Sequence, residues 1–545
     1  MEYKGQYTVI GAPGTGKTTY LSGQVRKLAD SSGWNGSEDS SPVLVVSLTK
    51  AAAREIASRD LPIPDGAVST LHSQGYRQQG RPPMVTAQMV ENEWNDKFDW
   101  PLSLDQFKGG GGGDDLMNED RHEETEGDSI FFKYDLARHS LVEPEGDARD
   151  FGEEWTKFKA RLGVIDFTDM IEGAGPAPPM GAEYIVVDEA QDMSPLEVRT
   201  IKCWAQGKAL FCCGDPRQAL YTWRGADPMW LVTEDGSHRR VLPKSYRLPR
   251  LIKDTCENWA MKLGDWTRYE YEPRDEPGIV RRFPAGIYSA YDVVAEADKV
   301  AQSGRTAMIA ASCGYHLNGV LSQLRDTAVP FANPWRTKRA QWNPLGYKKG
   351  VTMAQRLISL QTPVHSGRMW SAASVYEWTL PMESDKVLVR GAKKAIELTA
   401  GAKGSEPVTF DELAQWFQGD RMNELWALAM EKRDGPKLIQ WWVSNLLKSR
   451  VRTAAYSAHV YKARGLDALT ASPRVFIGTV HSFKGSEADV VFLFPDLSPA
   501  GWRGWESGHG EGYDSVVRTF YVGMSRAKHE LNLCDGTLSG VQWSA

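Results

Sequence analysis

The chain has 545 residues, of which 41% are hydrophobic and 25% charged, and a net charge of −6. These are ordinary values for a water-soluble globular protein, and the length is too great for one core and implies about three to four domains. No apolar run approaches the ~18 residues of a membrane span and the N-terminus leads straight into a strand, so neither a membrane anchor nor a signal peptide is expected. The six cysteines (Cys203, Cys212, Cys213, Cys256, Cys313 and Cys534) form no C-x-x-C pair, which argues against a zinc ribbon or a disulfide framework and fits a reducing cytoplasm.

Tyr7-Thr8-Val9-Ile10 reads as a short buried strand. Gly11-Ala12-Pro13-Gly14-Thr15-Gly16-Lys17-Thr18-Thr19 follows and matches G-x-x-x-x-G-K-[ST]. Residues from Thr18 to Ala29 then read as a helix. A glycine-rich turn between strand and helix aims several backbone N–H groups at one point, where the helix N-terminus adds partial positive charge. Lys17 is expected on the β- and γ-phosphates of a nucleotide, and the Thr18 hydroxyl on Mg²⁺.

Val43–Thr49 reads as a second buried strand, followed by a helix from Lys50 to Arg59. Residues 91–154 carry 20 Asp and Glu against 6 Lys and Arg, with five consecutive glycines at 109–113. That centre cannot bury a core and is expected to be a flexible loop. Tyr184–Glu189 is an apolar run ending in two carboxylates, which reads as a buried parallel strand with a site at its carboxyl end. Asp188 suits Mg²⁺. Glu189 suits the base that deprotonates an attacking water, which favours hydrolysis over phosphate transfer to a substrate.

Ala209–Asp215 is a third such strand. Thr306–Ala311 and Val490–Phe494 read as strands of a second parallel sheet. Residues 331–470 carry 21 Lys and Arg against 12 Asp and Glu, with eight tryptophans. A basic, aromatic-rich module suits a phosphate backbone, and a plain solvated basic surface suits the same counts.

The motifs in their order resemble those of superfamily 1 DNA helicases of the UvrD/Rep/PcrA type. Ser47–Glu55 is similar to motif Ia and Ser69–Ser73 to motif Ib. Asp166–Ile171 resembles the acidic helix before motif II. Val187-Asp188-Glu189-Ala190-Gln191-Asp192 resembles motif II, Gly214–Ala226 motif III, and Lys244-Ser245-Tyr246-Arg247 motif IV. Gly478–Glu487 resembles motif V and Tyr521–Ala527 motif VI.

The resemblance implies an α/β fold with two RecA-like parallel-sheet domains, each interrupted by a mainly helical insertion. The first would span 1–80 and 161–240, interrupted by the acidic 81–160. The second would span 241–330 and 471–545, interrupted by the basic, tryptophan-rich 331–470. It implies Mg-ATP hydrolysis, with Gly11 to Thr19, Tyr246 and Glu487 holding the nucleotide, Tyr246 by stacking on adenine. Arg247 and Arg526 would act as arginine fingers brought from the second domain, and Gln218 would couple nucleotide to DNA. Thr49, Thr70, His72, Tyr221, Trp223, Arg224, Thr479 and His481 would contact DNA, Tyr221 and Trp223 by stacking on bases, a sequence-tolerant interaction. The implied partners are single-stranded DNA and its junctions with duplex, together with replication or repair proteins. Polarity, 3′→5′, follows from the resemblance alone.

Two positions depart from the family pattern. Only Gln6 is available upstream to read adenine, and Leu48 stands where motif Ia has a stacking phenylalanine. The alternatives are a remodelling translocase with little unwinding, an RNA motor and a combined helicase–nuclease. The combined enzyme is disfavoured because motif VI stands close to the end of the sequence.

Overall fold

The computed structural model describes residues 5–48, 50–107, 125–233, 238–264, 267–287, 289–337, 339–346, 351–537 and 540–543. Two six-stranded sheets organise it. The first contains β1 (Gly5–Ile10), β2 (Val43–Ser47), β3 (Val68–Thr70), β4 (Tyr184–Asp188), β5 (Ala209–Gly214) and β6 (Arg239–Val241), in the spatial order β3-β2-β4-β5-β1-β6. All its pairings are parallel. Its central strands are apolar on both faces. Leu44, Val46, Ile185, Val187 and Leu210 pack into the core on one face. Val9, Val43, Val45, Val186 and Phe211 pack into the core on the other. Burial on both sides is what a parallel sheet covered by helices requires.

Between the sheets runs a two-stranded parallel ribbon of β7 (Lys244–Pro249) and β8 (Glu272–Arg274). The second sheet contains β9 (Ile279–Phe283), β10 (Ala307–Ala311), β11 (Phe331–Ala332), β12 (Val475–Thr479), β13 (Ala488–Leu493) and β14 (Ala527–Cys534), in the order β11-β12-β10-β13-β14-β9. It too is all parallel. Among the described residues the five expected strands appear as β2, β4, β5, β10 and β13, each bound within two residues of the expected one. The α/β class with parallel sheets is therefore that of the molecule.

The helical stretch between β3 and β4 is pinched at a neck and also packs back beside the first sheet, where His139 Nδ1 lies 3.0 Å from Ser194 Oγ and Phe132 stacks on Trp223. Val85 N donates to Ile165 O and Ile165 N to Pro83 O, both at 3.0 Å. Beyond the neck it has its own aromatic core of Trp94, Phe151, Trp155 and Phe158. The acidic glycine-rich centre of that stretch lies outside the described residues at 108–124.

The tryptophan-rich stretch behaves differently from a separate module. Phe331 and Ala332 form an edge strand of the second sheet. Trp342, Trp370, Trp378 and Trp442 share one continuous core with Ile309, Ile477 and Phe492 of the sheet itself. Their indole surface is therefore used for packing, and Trp335, 39% exposed, is the exception among the large buried rings.

Candidate active site between the two sheets

The P-loop turns sharply out of β1. Gly14 and Gly16 have φ of +74° and +79°, a left-handed backbone that glycine adopts without strain. Gly14 has a second reason to lack a side chain, because a Cβ there would stand 2.3 Å from Arg247 Cβ. Gly11 N donates to Gly214 O at 3.1 Å, tying the loop to β5. Gly16 caps the helix Lys17–Ser31, and Lys17 Nζ folds back to donate to Gly11 O at 2.9 Å. Thr15 Oγ1 donates to Ala12 O at 2.9 Å, and Ala12, Pro13, Thr18 and Thr19 complete the loop.

In the sheet order β5 lies between β1 and β4, so the residues after β5 sit between the P-loop and the carboxylates. Asp188 ends β4 and is buried; Glu189 follows with φ +53°, a left-handed conformation unusual for a residue with a side chain. Gln191 connects the parts. Its Nε2 donates to Glu189 Oε2 at 2.5 Å and its Oε1 accepts from Asp215 N at 3.0 Å. Burial and the neighbouring Glu189 carboxylate push Asp188 up to about 7. A divalent cation would relieve that repulsion, and Asp188 and the Thr18 hydroxyl are hard oxygen donors lining the same cavity. The residues present therefore fit Mg²⁺ with a nucleotide. Burial also pushes Glu189 upward, but Lys484, Lys17 and Gln191 outweigh it and hold the carboxylate below its usual range.

Cations arrive from elsewhere in the chain. Lys484 forms ion pairs with Asp192 and with Glu189, the latter at 3.7 Å, and donates to Gln218 O at 3.2 Å. Gln218 Nε2 donates to Asp215 Oδ2 at 2.6 Å, and its Oε1 accepts from Arg526 Nη2 at 2.8 Å. Arg526 is 2% exposed, and both burial and the nearby Arg247 guanidinium press its pKa downward. Two guanidiniums held close, of which Arg526 has no carboxylate hydrogen-bonded to it among the described residues, make a place for an anion.

Arg247 differs from the expectation. It stands on β7, outside both large sheets, and is already fastened to the P-loop through its neighbours. Ser245 Oγ donates to Pro13 O at 2.7 Å and Tyr246 N to Gly14 O at 2.8 Å. Its own Nε donates to Glu487 Oε2 at 2.7 Å, so Glu487 here meets a guanidinium. Tyr246 lies beside the P-loop and is 70% exposed. Gln6 donates its side-chain N–H to Thr8 Oγ1 at 3.3 Å, within its own strand.

The residues expected on DNA are less uniformly placed. Thr49 lies outside the described residues. Thr70 caps the helix Leu71–Gln78, accepting from Ser73 N at 3.2 Å. His72 is buried with its ring stacked on Phe167 at 3.9 Å. Arg224 is buried and pairs with the fully buried Glu197 at 3.1 Å. Thr479 is buried, its hydroxyl accepting from Ser482 N at 3.2 Å. Tyr221 packs with Leu48, Ala226 and Trp223 in a small apolar cluster. His72, Arg224, Tyr221 and Thr479 thus each meet a partner inside the protein, and contact with DNA is for them a proposal. Trp223, half-buried and stacked on Phe132 at 6.2 Å, and His481, whose Nε2 lies 3.3 Å from Leu220 O, remain nearer the surface.

Residues missed by the sequence reading include Gln191, Asp215 and Lys484, all within quoted motifs. A lysine five residues from the expected DNA contact Thr479 carries no sign of its acidic partner 292 positions away.

Family comparisons bear on this arrangement. Residues 3–224 match an AAA domain model, and residues 455–535 match the UvrD-like helicase C-terminal domain, together more than half of the chain. The chain belongs to the UvrD-like superfamily 1 helicases. Curated relatives of this UvrD-like chain include an ATP-dependent helicase/nuclease component from Alkaliphilus oremlandii, 33% identical over 115 residues, 18% of this chain and 10% of that protein. The protein of the same name from Desulfitobacterium hafniense is 28% identical over 129 residues, 21% of this chain and 9% of that protein. The match thus spans about a tenth of each relative's length. Among the described residues no helix is long and apolar enough to cross a membrane.

Proposed function

We propose that this chain is a DNA-dependent ATPase that moves along single-stranded DNA and unwinds duplex, using Mg-ATP held between its two sheets. The observation that carries the reading is the Gln218–Arg526 contact beside the two carboxylates. It joins residues after β5 of the first sheet to a guanidinium of the second half, so nucleotide state and the relation of the two halves act on each other.

In this reading Lys17 and the P-loop N–H groups hold the phosphates, with Tyr246 against the base. Thr18 and Asp188 would hold Mg²⁺, which would neutralise charge on the phosphates. Glu189, kept ionised by Lys484 and Lys17, orients and deprotonates the attacking water. Arg247 and Arg526 stabilise the charge that develops on the γ-phosphate oxygens, and Gln218 reports their position. Trp223 and His481 belong to the DNA side of the cleft, and the 3′→5′ direction follows the family.

The test is ATP hydrolysis with and without single-stranded DNA, followed by unwinding of 3′- and 5′-tailed duplexes. DNA stimulation with 3′-tail preference is expected. ATPase activity indifferent to DNA would reject the reading. Stimulation without strand separation would leave a remodelling translocase.

A further inference from the structure

A cavity of about 430 Å³ opens on the carboxylate side of the site and reaches both sheets. One wall carries Thr18, Asp188 and Glu189; the other carries Trp335, Arg336 and His481. Trp335 belongs to no sequence motif, and it is the tryptophan of the 331–470 stretch that keeps more than a third of its surface open.

The ring is held firmly. Phe476 and Phe483 meet it edge to face, at 5.3 and 5.7 Å and interplanar angles of 77° and 88°. The turn beneath it is clamped by Asn333, which is fully buried. Asn333 Oδ1 accepts from Trp335 N at 3.2 Å and Arg336 N at 3.0 Å. Its Nδ2 donates to Ile477 O and to Ser482 Oγ, both at 3.0 Å. Gly478 leaves room for this clamp, since a Cβ there would stand 2.3 Å from Asn333 Nδ2. The turn bearing Trp335 is thereby locked to the turn bearing His481. A rigid exposed indole with a guanidinium next in sequence, in a cleft also lined by His481, has the chemistry for a flat aromatic group joined to a phosphate.

We propose that Trp335 is a stacking platform for one base of a single DNA strand, with Arg336 on the adjoining phosphate. The cavity is lined by Leu48 and Tyr221 as its remaining apolar wall, and Tyr246, the ring beside the P-loop, is not part of it. A base on Trp335 would lie within one cavity of Glu189, which gives occupancy of the strand a short route to the hydrolytic carboxylate. The inference rests on the reading of the chain as a DNA-dependent ATPase.

The test uses the full chain and fluorescence anisotropy with an oligothymidine and its abasic counterpart. Trp335→Leu keeps apolar contact with Phe476 and Phe483 but has no π face. It should weaken oligothymidine binding by about 5- to 150-fold. Binding to the abasic strand should be the same in both proteins. Equal weakening on both strands, or none on either, overturns the proposal. Should the leucine variant not fold, photocrosslinking of the unaltered protein to a 5-iodouracil strand decides instead: modification of the peptide containing Trp335 is expected, and its absence among crosslinked peptides overturns the proposal. Unaltered protein whose ATPase ignores DNA would reject the underlying function, a result distinct from either.

Discussion

Arg526 Nη2 donates to Gln218 Oε1 at 2.8 Å across 308 positions of sequence, and both side chains are buried. Among the described residues the guanidinium has no carboxylate in hydrogen-bonding contact. Its other hydrogen bonds go to Val522 O, Ser486 O and Ser525 Oγ. A neutral amide and three oxygens position a buried cation without cancelling its charge.

That arrangement makes Arg526 a charge kept for the nucleotide. Arg526→Ala should lower DNA-stimulated turnover by about 10³-fold or more, with DNA binding in the absence of nucleotide nearly unchanged. Lysine should rescue poorly, since an ammonium lacks the planar fork that reaches Gln218 and phosphate together. Steady-state ATPase against DNA concentration, with melting curves as control, gives the answer. An alanine variant that is merely less stable and still stimulated would remove the arginine from the chemistry.

Glu189→Gln should keep nucleotide and DNA affinity while turnover falls by about 10²–10⁴-fold. The left-handed backbone at Glu189 is unaffected by an isosteric amide, so the melting temperature should hardly move. Measurement of nucleotide binding by a fluorescent analogue beside turnover separates base from ligand. Retained turnover would sink the assignment.

Arg224 tests whether a motif residue acts on DNA directly. Glu197 is fully buried, and Arg224, Ser194 N and the charge of nearby histidines hold its pKa down against the effect of burial. Removing the guanidinium leaves a buried carboxylate unpaired, which costs about 3–5 kcal/mol. Arg224→Ala should therefore show a clear drop in denaturant midpoint. Full stability with selectively weaker DNA binding would return Arg224 to the DNA contacts.

Asp166 tests the junction of the acidic stretch. It accepts from Arg138 Nη1 at 2.9 Å, Lys159 Nζ at 2.7 Å and Trp155 Nε1 at 2.9 Å. Burial raises its pKa, yet Arg138 and Lys159 outweigh this and hold it well below the usual carboxylate range. A depressed folded pKa gives stability that is present above the ordinary aspartate pKa of about 3.9 and lost as pH falls through the folded value. Asp166→Asn should cost about 3–5 kcal/mol near neutrality and flatten the loss of stability in acid. Urea titrations of both proteins from neutral to acid pH check the slope; parallel curves would show that Asp166 does not supply it.

Much of the fold was legible because the central strands are apolar on both faces and end in phosphate or carboxylate motifs. β6, with Arg239-Arg240-Val241, and β9, with Ile279-Val280-Arg281-Arg282-Phe283, were not. Both are edge strands whose outward residues are charged, so their composition reads as loop. Burial of the motif residues was equally hidden. Nothing near Arg224 marks Glu197 as its partner, and nothing near His72 marks Phe167 as its stacking face. The packing of the tryptophans from 342 to 442 was hidden too, because the residues that complete their core, Ile309, Ile477 and Phe492, lie on strands far away in sequence.

The neck at Val85 and Ile165 has a consequence for change over time. Two hydrogen bonds close the neck, and beyond it Phe132 stacks on Trp223 and His139 meets Ser194, so the first half depends on the helix that carries those two residues but not on the length of chain farther out. Adding residues there costs only the slowly growing entropy of a longer closed loop, about 0.6 kcal/mol for each doubling. Insertion or truncation is thus tolerated away from Phe132, Arg138 and His139, whereas replacement of the whole excursion would strip Trp223, Glu172 and Ser194 of their partners.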